Sequence, residues 1–244
     1  MKSGKTAVTL LLSAVLSLCT LSAPASAAGY GQGKLLDAQN RPEGAVQFQQ
    51  EFSRYDACSM SSDPTRIILT FDQGYENGYT AQILDTLAEK HASAIFFLTG
   101  DYAKKEQQLV RRMIAEGHML GNHGMKHRKL PELNEPEIRE EIGSLHDYVL
   151  SQYGFEMQYF RPPCGEYDEE SLRVVQNMGY KTVFWSFAYV DWKPDAQPEP
   201  EAALQTLTDA AHGGAVYLLH SVSRTNAAIL GRLIDNLRAK GYTV

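Results

Sequence analysis

Short apolar runs alternate with longer amphipathic stretches along the chain from residue 66 onward. β-Branched and aromatic runs predict buried strands at residues 67–71, 94–98, 118–122, 158–161, 181–185 and 215–219, with a further strand starting at Tyr242. Between them, apolar residues recur with a helical period and predict helices at residues 79–90, 105–116, 135–152, 169–178, 201–211 and 226–240. This alternation is typical of parallel strands that are covered by helices. About seven such units favour a barrel over an open sheet, so we predict the α/β class and a distorted, incompletely closed (β/α)7-type barrel.

Capping signals predict the ends of two of these helices. Asn134 as N-cap and Glu137 three residues later form a capping box, and Gly154 ends the same helix. Gly117 closes the helix before it. We therefore expect the third strand to begin directly after Gly117.

The first 27 residues have the features of a secretory signal peptide. Two lysines precede a largely apolar run over residues 7–21, and residues 25–27 read Ala-Ser-Ala, a small-x-small cleavage site. We expect cleavage after Ala27, export from the cytoplasm and no membrane span in the cleaved protein. The alternative is a retained membrane anchor, which the short apolar run and Pro24 disfavour.

The residues between the signal peptide and the alternating pattern form a predicted N-terminal extension. Residues 28–44 are rich in Gly, Gln and Asn and predict a tether or a surface arm. Phe48, Phe52 and Tyr55 then fall at i, i+4 and i+7, which predicts a short helix packed on the domain. The predicted units are a signal peptide (1–27), an extension with a short helix (28–65) and one main domain (66–244).

The composition limits the kind of protein this chain forms. It has 244 residues, a hydrophobic share of 43% and a net charge of -6, which suits one soluble domain with a full core. The mild acidity and the lack of a Lys/Arg-rich block argue against nucleic acid as a partner. Cys58 and Cys164 could form a disulfide after export, and the sequence leaves their pairing open.

The first predicted strand of the main domain ends in a carboxylate. Asp72 follows the apolar run at residues 67–71, and Gly74 frees the turn behind it. Chemistry gathers at the carboxyl ends of parallel strands, so Asp72 is a candidate catalytic residue. The alternative is an ordinary turn, because Asp and Gly are both common turn residues.

Two histidines follow the third predicted strand. His123 and His127 are four residues apart, which on a helical turn places both imidazoles on one side, within reach of one metal ion. Imidazole suits zinc and other late first-row divalent ions. The alternative is two partly exposed histidines in a loop.

The fourth predicted strand ends in an arginine and a stiff turn. Arg161 could pair with Asp72 and keep that carboxylate ionised. Pro162 and Pro163 fix the backbone that follows, so the next free N–H, that of Cys164, could serve an oxyanion site. The alternative is a proline-stiffened loop with a surface arginine.

The last two strand ends carry Asp191 and His220. A carboxylate beside a buried imidazole orients the ring and raises its pKa for acid catalysis. A lone histidine at a strand end is otherwise an ordinary core residue. Polar groups at five strand ends on one face are hard to explain by packing alone, and the set comprises Asp72, His123, His127, Arg161, Asp191 and His220.

Five short motifs contain these polar groups. In order they are residues 70–74 (Thr-Phe-Asp-Gln-Gly), His123 to His127, residues 161–165 (Arg-Pro-Pro-Cys-Gly), Asp191 with Trp192, and residues 218–221 (Leu-Leu-His-Ser). Together they resemble the motifs of carbohydrate esterase family 4, the NodB-type polysaccharide deacetylases. The resemblance implies a NodB homology catalytic domain over residues 66–244. A closer likeness, carried by residues 71–80 and 220–224, is to the sporulation branch of δ-lactam-biosynthetic de-N-acetylases, which act on N-acetylmuramic acid.

The resemblance implies a catalytic role for five residues. Asp72 would be the general base that takes a proton from water, and Arg161 would hold it in place. His220 would protonate the leaving amine, and Asp191 would tune it. The backbone N–H of Cys164 would bind the oxyanion of the tetrahedral intermediate.

The resemblance also implies a divalent metal ion, zinc or another divalent, held by His123 and His127. Most family members have a carboxylate ligand where this chain has Gln73, and the sporulation branch typically has Asn there. An amide is a poorer zinc ligand than a carboxylate, so we predict that Gln73 is a weak or absent ligand and that the metal binds weakly.

The implied function is hydrolysis of the N-acetyl group of N-acetylmuramic acid in peptidoglycan, outside the cytoplasm, leading to muramic δ-lactam in the spore cortex. Tyr75, Trp192 and Pro163 would contact the glycan strand, and we expect the enzyme to be a monomer. One alternative is a deacetylase of N-acetylglucosamine units in peptidoglycan or chitin-like glycans. Another is a catalytically impaired carbohydrate-binding protein, which Gln73 motivates.

Overall fold

The computed structural model describes residues 28–244, so the predicted signal peptide lies outside the described residues. Within this range, no helix is both long and apolar enough to cross a membrane. The strands in this range are β1 Ala28–Gly29, β2 Ala57–Cys58, β3 Ile68–Gln73, β4 Ala94–Leu98, β5 Met119–Asn122, β6 Tyr159–Phe160, β7 Glu166–Tyr167, β8 Lys181–Val183, β9 Phe187–Ala188 and β10 Val216–His220. The α-helices are α1 Glu43–Phe52, α2 Thr80–Glu89, α3 Gly100–Lys105, α4 Gln107–Ala115, α5 Glu135–Tyr153, α6 Glu169–Asn177, α7 Pro200–Asp209 and α8 Arg224–Ala239.

Eight of these strands form one curled sheet. Their order is β2-β8-β6-β5-β4-β3-β10-β9, and every neighbouring pair is parallel. Strands β2 and β9 are the two edges and do not pair with each other, so the barrel is open on that side. The predicted α/β fold, a distorted and incompletely closed barrel, is confirmed.

Strand β3 shows how the sheet separates its two faces. Leu69 and Phe71 are fully buried in the main core, which the helices on the outer face complete. Thr70 and Asp72 alternate with them and instead bond to the buried side chain of Arg161 on the inner face. Burial of each large apolar side chain contributes about 1.5–3 kcal/mol. The apolar residues therefore hold the register that directs Asp72 inward.

Two predicted elements differ most from the structure. The helix predicted at 105–116 is two helices, α3 and α4, separated at Glu106, whose φ of -102° and ψ of 41° are not helical. Thr99 begins α3 earlier than predicted, because its side chain accepts a hydrogen bond from the Tyr102 N–H. The strand predicted from Tyr242 is reduced to a single bridge between Arg66 and Thr243.

The capping signals are confirmed where they were strongest. Asn134 accepts from the backbone of Glu137, and the Glu137 side chain accepts from the backbone of Asn134. Gly154 ends the same helix in the left-handed region, at a φ of 67°. This helix, α5, packs against β5 and so helps to position the loop with the two histidines.

Residues 28–44 form a surface arm on the domain, which was one of the two predictions for this segment, and not a tether. Strand β1 pairs antiparallel with β7, and the Tyr30 N–H donates to the Gly165 carbonyl at 2.8 Å. The Tyr30 ring lies 4.9 Å from Phe48, 4.6 Å from Phe184 and 5.0 Å from Trp185 between centroids. Strand β2 then joins the sheet beside β8, so the predicted boundary at residue 66 falls inside the fold.

Candidate active site

The register of the parallel strands brings the predicted polar residues to one edge of the sheet. His220 at the end of β10 is the direct partner of Asp72 on β3. Strand β5 ends at Asn122 beside Phe160 of β6, so His123 and Arg161 leave neighbouring strand ends. The common carboxyl edge of the sheet is therefore a candidate active site.

Arg161 and Asp72 form a buried ion pair at this edge. The Arg161 Nη1 donates to Asp72 Oδ1 at 2.7 Å and to Thr70 Oγ1 at 2.8 Å. Its Nε and Nη2 donate to the carbonyls of Val183 and Phe184 at 3.0 and 3.1 Å. The arginine side chain is 0% exposed. It is a fixed cation that leaves the Asp72 Oδ2 free for other partners.

Arg161 decides the ionisation state of Asp72. Burial alone would raise the pKa of the Asp72 carboxyl, but the charge of Arg161, with smaller contributions from His123 and His220, holds the pKa below its usual value. Asp72 is therefore a carboxylate at neutral pH. It can accept a proton from a water molecule beside Oδ2.

His123 is a neutral imidazole beside Asp72. Its Nδ1 lies 2.8 Å from the Arg161 carbonyl oxygen, which can only accept, so Nδ1 carries the proton. Burial lowers the pKa of His123 to about 4 although Asp72 opposes that shift. Its Nε2 lies 3.6 Å from Asp72 Oδ2. The unprotonated Nε2 therefore presents a lone pair next to the carboxylate.

The segment from His123 to His127 is a loop, so the predicted helical turn was wrong. Gly124 and His127 have φ values of 84° and 57°, which break any helix. The buried Glu141 carboxylate on α5 accepts the N–H groups of Lys126 at 2.6 Å and Arg128 at 3.2 Å, which fixes the loop. The two imidazoles still meet, with ring centroids 4.8 Å apart. Burial also lowers the pKa of His127, so both rings are neutral.

Asp191 and His220 form the second pair of the site. The Asp191 carboxylate is fully buried and accepts the His220 Nδ1–H at 2.7 Å and the His220 backbone N–H at 2.8 Å. Burial favours the neutral ring, but the hydrogen bond and the charge of Asp191 raise the pKa of His220 above its usual value. The pair leaves Nε2 as the proton-donating nitrogen of His220.

The two pairs and the two histidines surround one cavity of about 520 Å³. The residues that line it are Gln32, Asp72, His123, His127, Pro162, Cys164, Gly165, Trp185, Ala188, Trp192, Leu218 and His220. Arg161 and Asp191 lie behind this surface, each in contact with a residue of the lining. The structure thus brings together the six polar residues that the sequence placed at strand ends.

Cys164 lies on a tight turn at the rim of the cavity. Its φ of 59° and ψ of 7° are in the left-handed region, which residues other than glycine rarely adopt. Gly165 follows at a φ of 67°, and a Cβ there would approach the Trp185 ring within 2.7 Å. The turn is therefore rigid, as an oxyanion-binding N–H requires. Cys58 and Cys164 are not bonded to each other.

The three predicted substrate contacts lie in different places. Trp192 is 45% exposed on the cavity surface, with its ring centroid 5.6 Å from that of His220. Tyr75 is 50% exposed in the segment after β3 and does not line the cavity. Pro163 is buried, and Pro162 takes its place in the lining.

Gln73 is directed away from this cavity. It is fully buried, its Nε2 donates to the Ser221 hydroxyl, and its Oε1 has no hydrogen-bond partner. Over residues 28–244, no group of three His, Cys, Asp or Glu residues is arranged to hold a metal ion. Two adjacent neutral imidazoles, His123 and His127, nevertheless suit a divalent cation as its protein ligands. The residues present therefore fit a weakly held ion.

The N-terminal arm contributes to the cavity in a way that the sequence did not predict. Gln32 lines the cavity, accepts a hydrogen bond from Trp185 Nε1 at 2.9 Å and donates to the Ala188 carbonyl at 3.2 Å. Its Gly- and Gln-rich surroundings are typical of a linker, so no local signal marks it. The sequence analysis predicted Trp185 as the last residue of an apolar strand and assigned it no role in the site.

Comparisons with known proteins agree with this arrangement. The family model described as polysaccharide deacetylase matches residues 60–183. The chain is 40% identical to the peptidoglycan-N-acetylmuramic acid deacetylase PdaA of Bacillus subtilis over 204 residues, which cover 83% of this chain and 78% of PdaA. The solved structure of PdaA, a family 4 carbohydrate esterase, superposes with a TM-score of 0.85 at 38% identity, covering 91% and 95% of the two chains.

Two more distant relatives differ in what they do. A peptidoglycan-N-acetylglucosamine deacetylase of Bacillus cereus is 33% identical over 183 residues, 72% of this chain and 64% of that protein. A CE4 family pseudoenzyme from Bacillus anthracis superposes with a TM-score of 0.72 at 25% identity, covering 77% of this chain and 66% of its own. The family thus includes other sugar specificities and an inactive form.

Proposed function

The chain belongs to the polysaccharide deacetylase family, carbohydrate esterase family 4, and we propose that it hydrolyses the acetamide of N-acetylmuramic acid in peptidoglycan. The observation that carries this proposal is the placement of an ionised Asp72 and a proton-donating His220 on one cavity. The substrate follows from the likeness to PdaA, whose sequence matches most of this chain.

The chain's own residues suggest the order of proton transfers. Asp72 accepts a proton from a water molecule, and the water oxygen attacks the acetamide carbon. The Cys164 N–H binds the oxyanion that forms, at the rim of the cavity. His220 then gives its Nε2 proton to the leaving nitrogen, and the C–N bond breaks. The products are acetate and the free amine of the sugar.

A divalent ion would be held by His123 and His127. When bound, such an ion polarises the acetamide carbonyl and favours an attacking water. Gln73 is not placed to complete its coordination, so we expect weak binding. Zinc and other late first-row divalent ions are the expected occupants.

The proposed site of action is the cell envelope, outside the cytoplasm. Its substrate there would be the glycan strand of peptidoglycan, with the peptide stem removed beforehand, and the product would lead to muramic δ-lactam in the spore cortex. We propose that the protein acts as a monomer, since the residues assigned to the proton transfers all meet within one chain.

The test is acetate release from purified glycan strands. The purified protein is incubated with stem-free muramoyl glycans, with and without added zinc, and acetate is measured enzymatically. We expect release that added metal increases and that Asp72→Asn abolishes. No release from muramoyl glycans under any metal condition would refute the proposal.

The same assay also tests the two alternative functions. Release from N-acetylglucosamine polymers alone would indicate the specificity of the B. cereus relative. Glycan binding without any release would indicate an impaired carbohydrate-binding protein, which the buried amide of Gln73 and the pseudoenzyme of the family favour.

A further inference from the structure

We propose that Asn226 is a positioning residue for the Asp191–His220 pair. It lies on the first turn of α8, behind the cavity, and it touches the carboxylate that holds the imidazole. The inference rests on the proposed function in taking His220 as the proton donor. The fixed orientation of Asp191 that it predicts can be tested without measuring enzyme activity.

Every polar atom of the Asn226 side chain is engaged. The Nδ2 donates to Asp191 Oδ2 at 2.6 Å and to the His220 carbonyl at 3.2 Å. Both partners can only accept, so the amide orientation is determined and Oδ1 must face the other way. There the Tyr189 hydroxyl donates to Oδ1. Asn226 is 3% exposed, so water does not replace these partners.

The third donor prevents the Asp191 carboxylate from rotating. His220 supplies one donor to each oxygen, Nδ1–H to Oδ1 and the backbone N–H to Oδ2. Without Asn226, Oδ2 would keep only the backbone N–H and would be left under-satisfied in a fully buried position. The carboxylate would then be held less firmly, and with it the imidazole ring. Asn226 therefore keeps the proton on Nδ1 bonded and Nε2 directed to the cavity.

The backbone position of Asn226 is itself fixed. Its N–H donates to the N-cap side chain of Ser223 at 3.0 Å. Gln197 connects the same helix end to the loop of Asp191, because its Nε2 donates to the Asp191 carbonyl at 2.7 Å and its Oε1 accepts from the Ser223 hydroxyl. The end of the helix and the loop thus form one rigid support.

Two variants test the role of the donor. Asn226→Leu removes both polar groups at similar size, and Asn226→Ala removes the same groups together with the volume of the side chain. For both variants we expect kcat to fall about ten- to hundredfold, because general acid catalysis typically contributes about 10²- to 10⁴-fold to the rate and only part of it would be lost. We expect KM to stay within about twofold of the wild-type value. A residue that only fills space would tolerate Asn226→Leu far better than Asn226→Ala.

Proton NMR gives a readout that does not need activity. A buried imidazole N–H held by a carboxylate exchanges slowly with water, and its downfield resonance is assigned to His220 Nδ1–H by its loss in Asp191→Asn. We expect this resonance to disappear in both Asn226 variants. The matched control is Asn236→Leu on the same helix, where the amide bonds to Thr208 at 3.1 Å and the resonance should persist.

The outcomes separate this inference from the proposed function. Retention of the resonance and of kcat in folded Asn226→Leu would overturn the positioning role. If Asn226→Leu does not fold, the smaller Asn226→Ala decides the question. If the wild-type protein releases no acetate, the proposed function fails, and the NMR comparison still decides whether Asn226 orients the pair.

Discussion

Replacing Arg161 with methionine should destabilise the protein more than any surface change. The guanidinium is fully buried and donates to Asp72, to Thr70 and to the two carbonyls of Val183 and Phe184. Methionine fills a similar volume but leaves all of these acceptors without a donor. The most costly of them is the Asp72 carboxylate, which becomes a buried charge without a partner.

The size of the effect follows from the burial of the pair. Removing one partner of a buried ion pair costs about 3–5 kcal/mol. For a domain of this size, this corresponds to a fall in Tm of about 6–20 °C. Urea unfolding at pH 7, followed by circular dichroism, measures the free energy directly. Arg232→Met is the matched control, because its ion pair with Glu201 is exposed and its midpoint should stay close to that of the wild type.

The pH dependence gives a second, independent check. In the wild type the pKa of Asp72 is lowered, so the contribution of the pair is present above about pH 4 and is lost as the pH falls through the folded pKa. In Arg161→Met, burial raises the pKa of Asp72, which becomes neutral on mild acidification. The stability gap between the two proteins should therefore be widest near neutral pH and should narrow below about pH 4.

A double variant tests whether the cost arises at Asp72. Arg161→Met combined with Asp72→Asn removes both charges, so it should be more stable than Arg161→Met alone. If Arg161→Met unfolds within about 1 kcal/mol of the wild type, or if the gap does not change with pH, the buried pair does not have the role that we assign to it.

Three further changes follow from the same geometry. His127→Ala should reduce the zinc affinity measured by calorimetry at least tenfold, whereas Gln73→Ala should change it less than twofold. Equal losses of affinity in the two variants would show that the Gln73 amide is a ligand. Gly165→Ala should lower the free energy of unfolding by about 1–3 kcal/mol. The reason is that Gly165 has a φ of 67° and that an added Cβ would lie 2.7 Å from the Trp185 ring. An unchanged urea midpoint would contradict this prediction. Since the pKa of His220 is raised, the alkaline limb of the pH profile of kcat should lie above pH 6.5. In Asp191→Asn this limb should move to lower pH. A limb that does not move would exclude His220 as the general acid.

The sequence predicted the parts of the site that parallel strands align automatically. Each apolar run buries a strand, and the carboxyl ends of parallel strands meet at one edge whatever their distance along the chain. Asp72 and His220 are 148 residues apart, yet the register of β3 and β10 makes them direct neighbours. The sequence analysis likewise predicted that Arg161 could pair with Asp72, and in the structure the two side chains form an ion pair. The ends of these strands were therefore predictable to within two residues.

The parts that depend on long-range contacts of irregular segments were not predictable. Gln32 and Trp185 meet across 153 residues, and no periodic pattern marks the segment that contains Gln32. The helical turn predicted for His123 to His127 was wrong for a related reason. His123 and His127 have helical spacing, but Gly124 and the distant carboxylate of Glu141 impose a different backbone. Spacing alone does not show which conformation a glycine-containing segment adopts.

The position of Gln73 depends on how far β3 extends. The apolar run in the sequence predicted that this strand ends at Phe71, which would leave Asp72 and Gln73 free to turn toward one site. In the structure the strand continues to Gln73, which pairs with Leu98. Successive side chains of a strand point to opposite faces, so Asp72 enters the cavity and Gln73 leaves it for the Ser221 hydroxyl. The weak metal binding that we expect would therefore have a geometric cause as well as a chemical one.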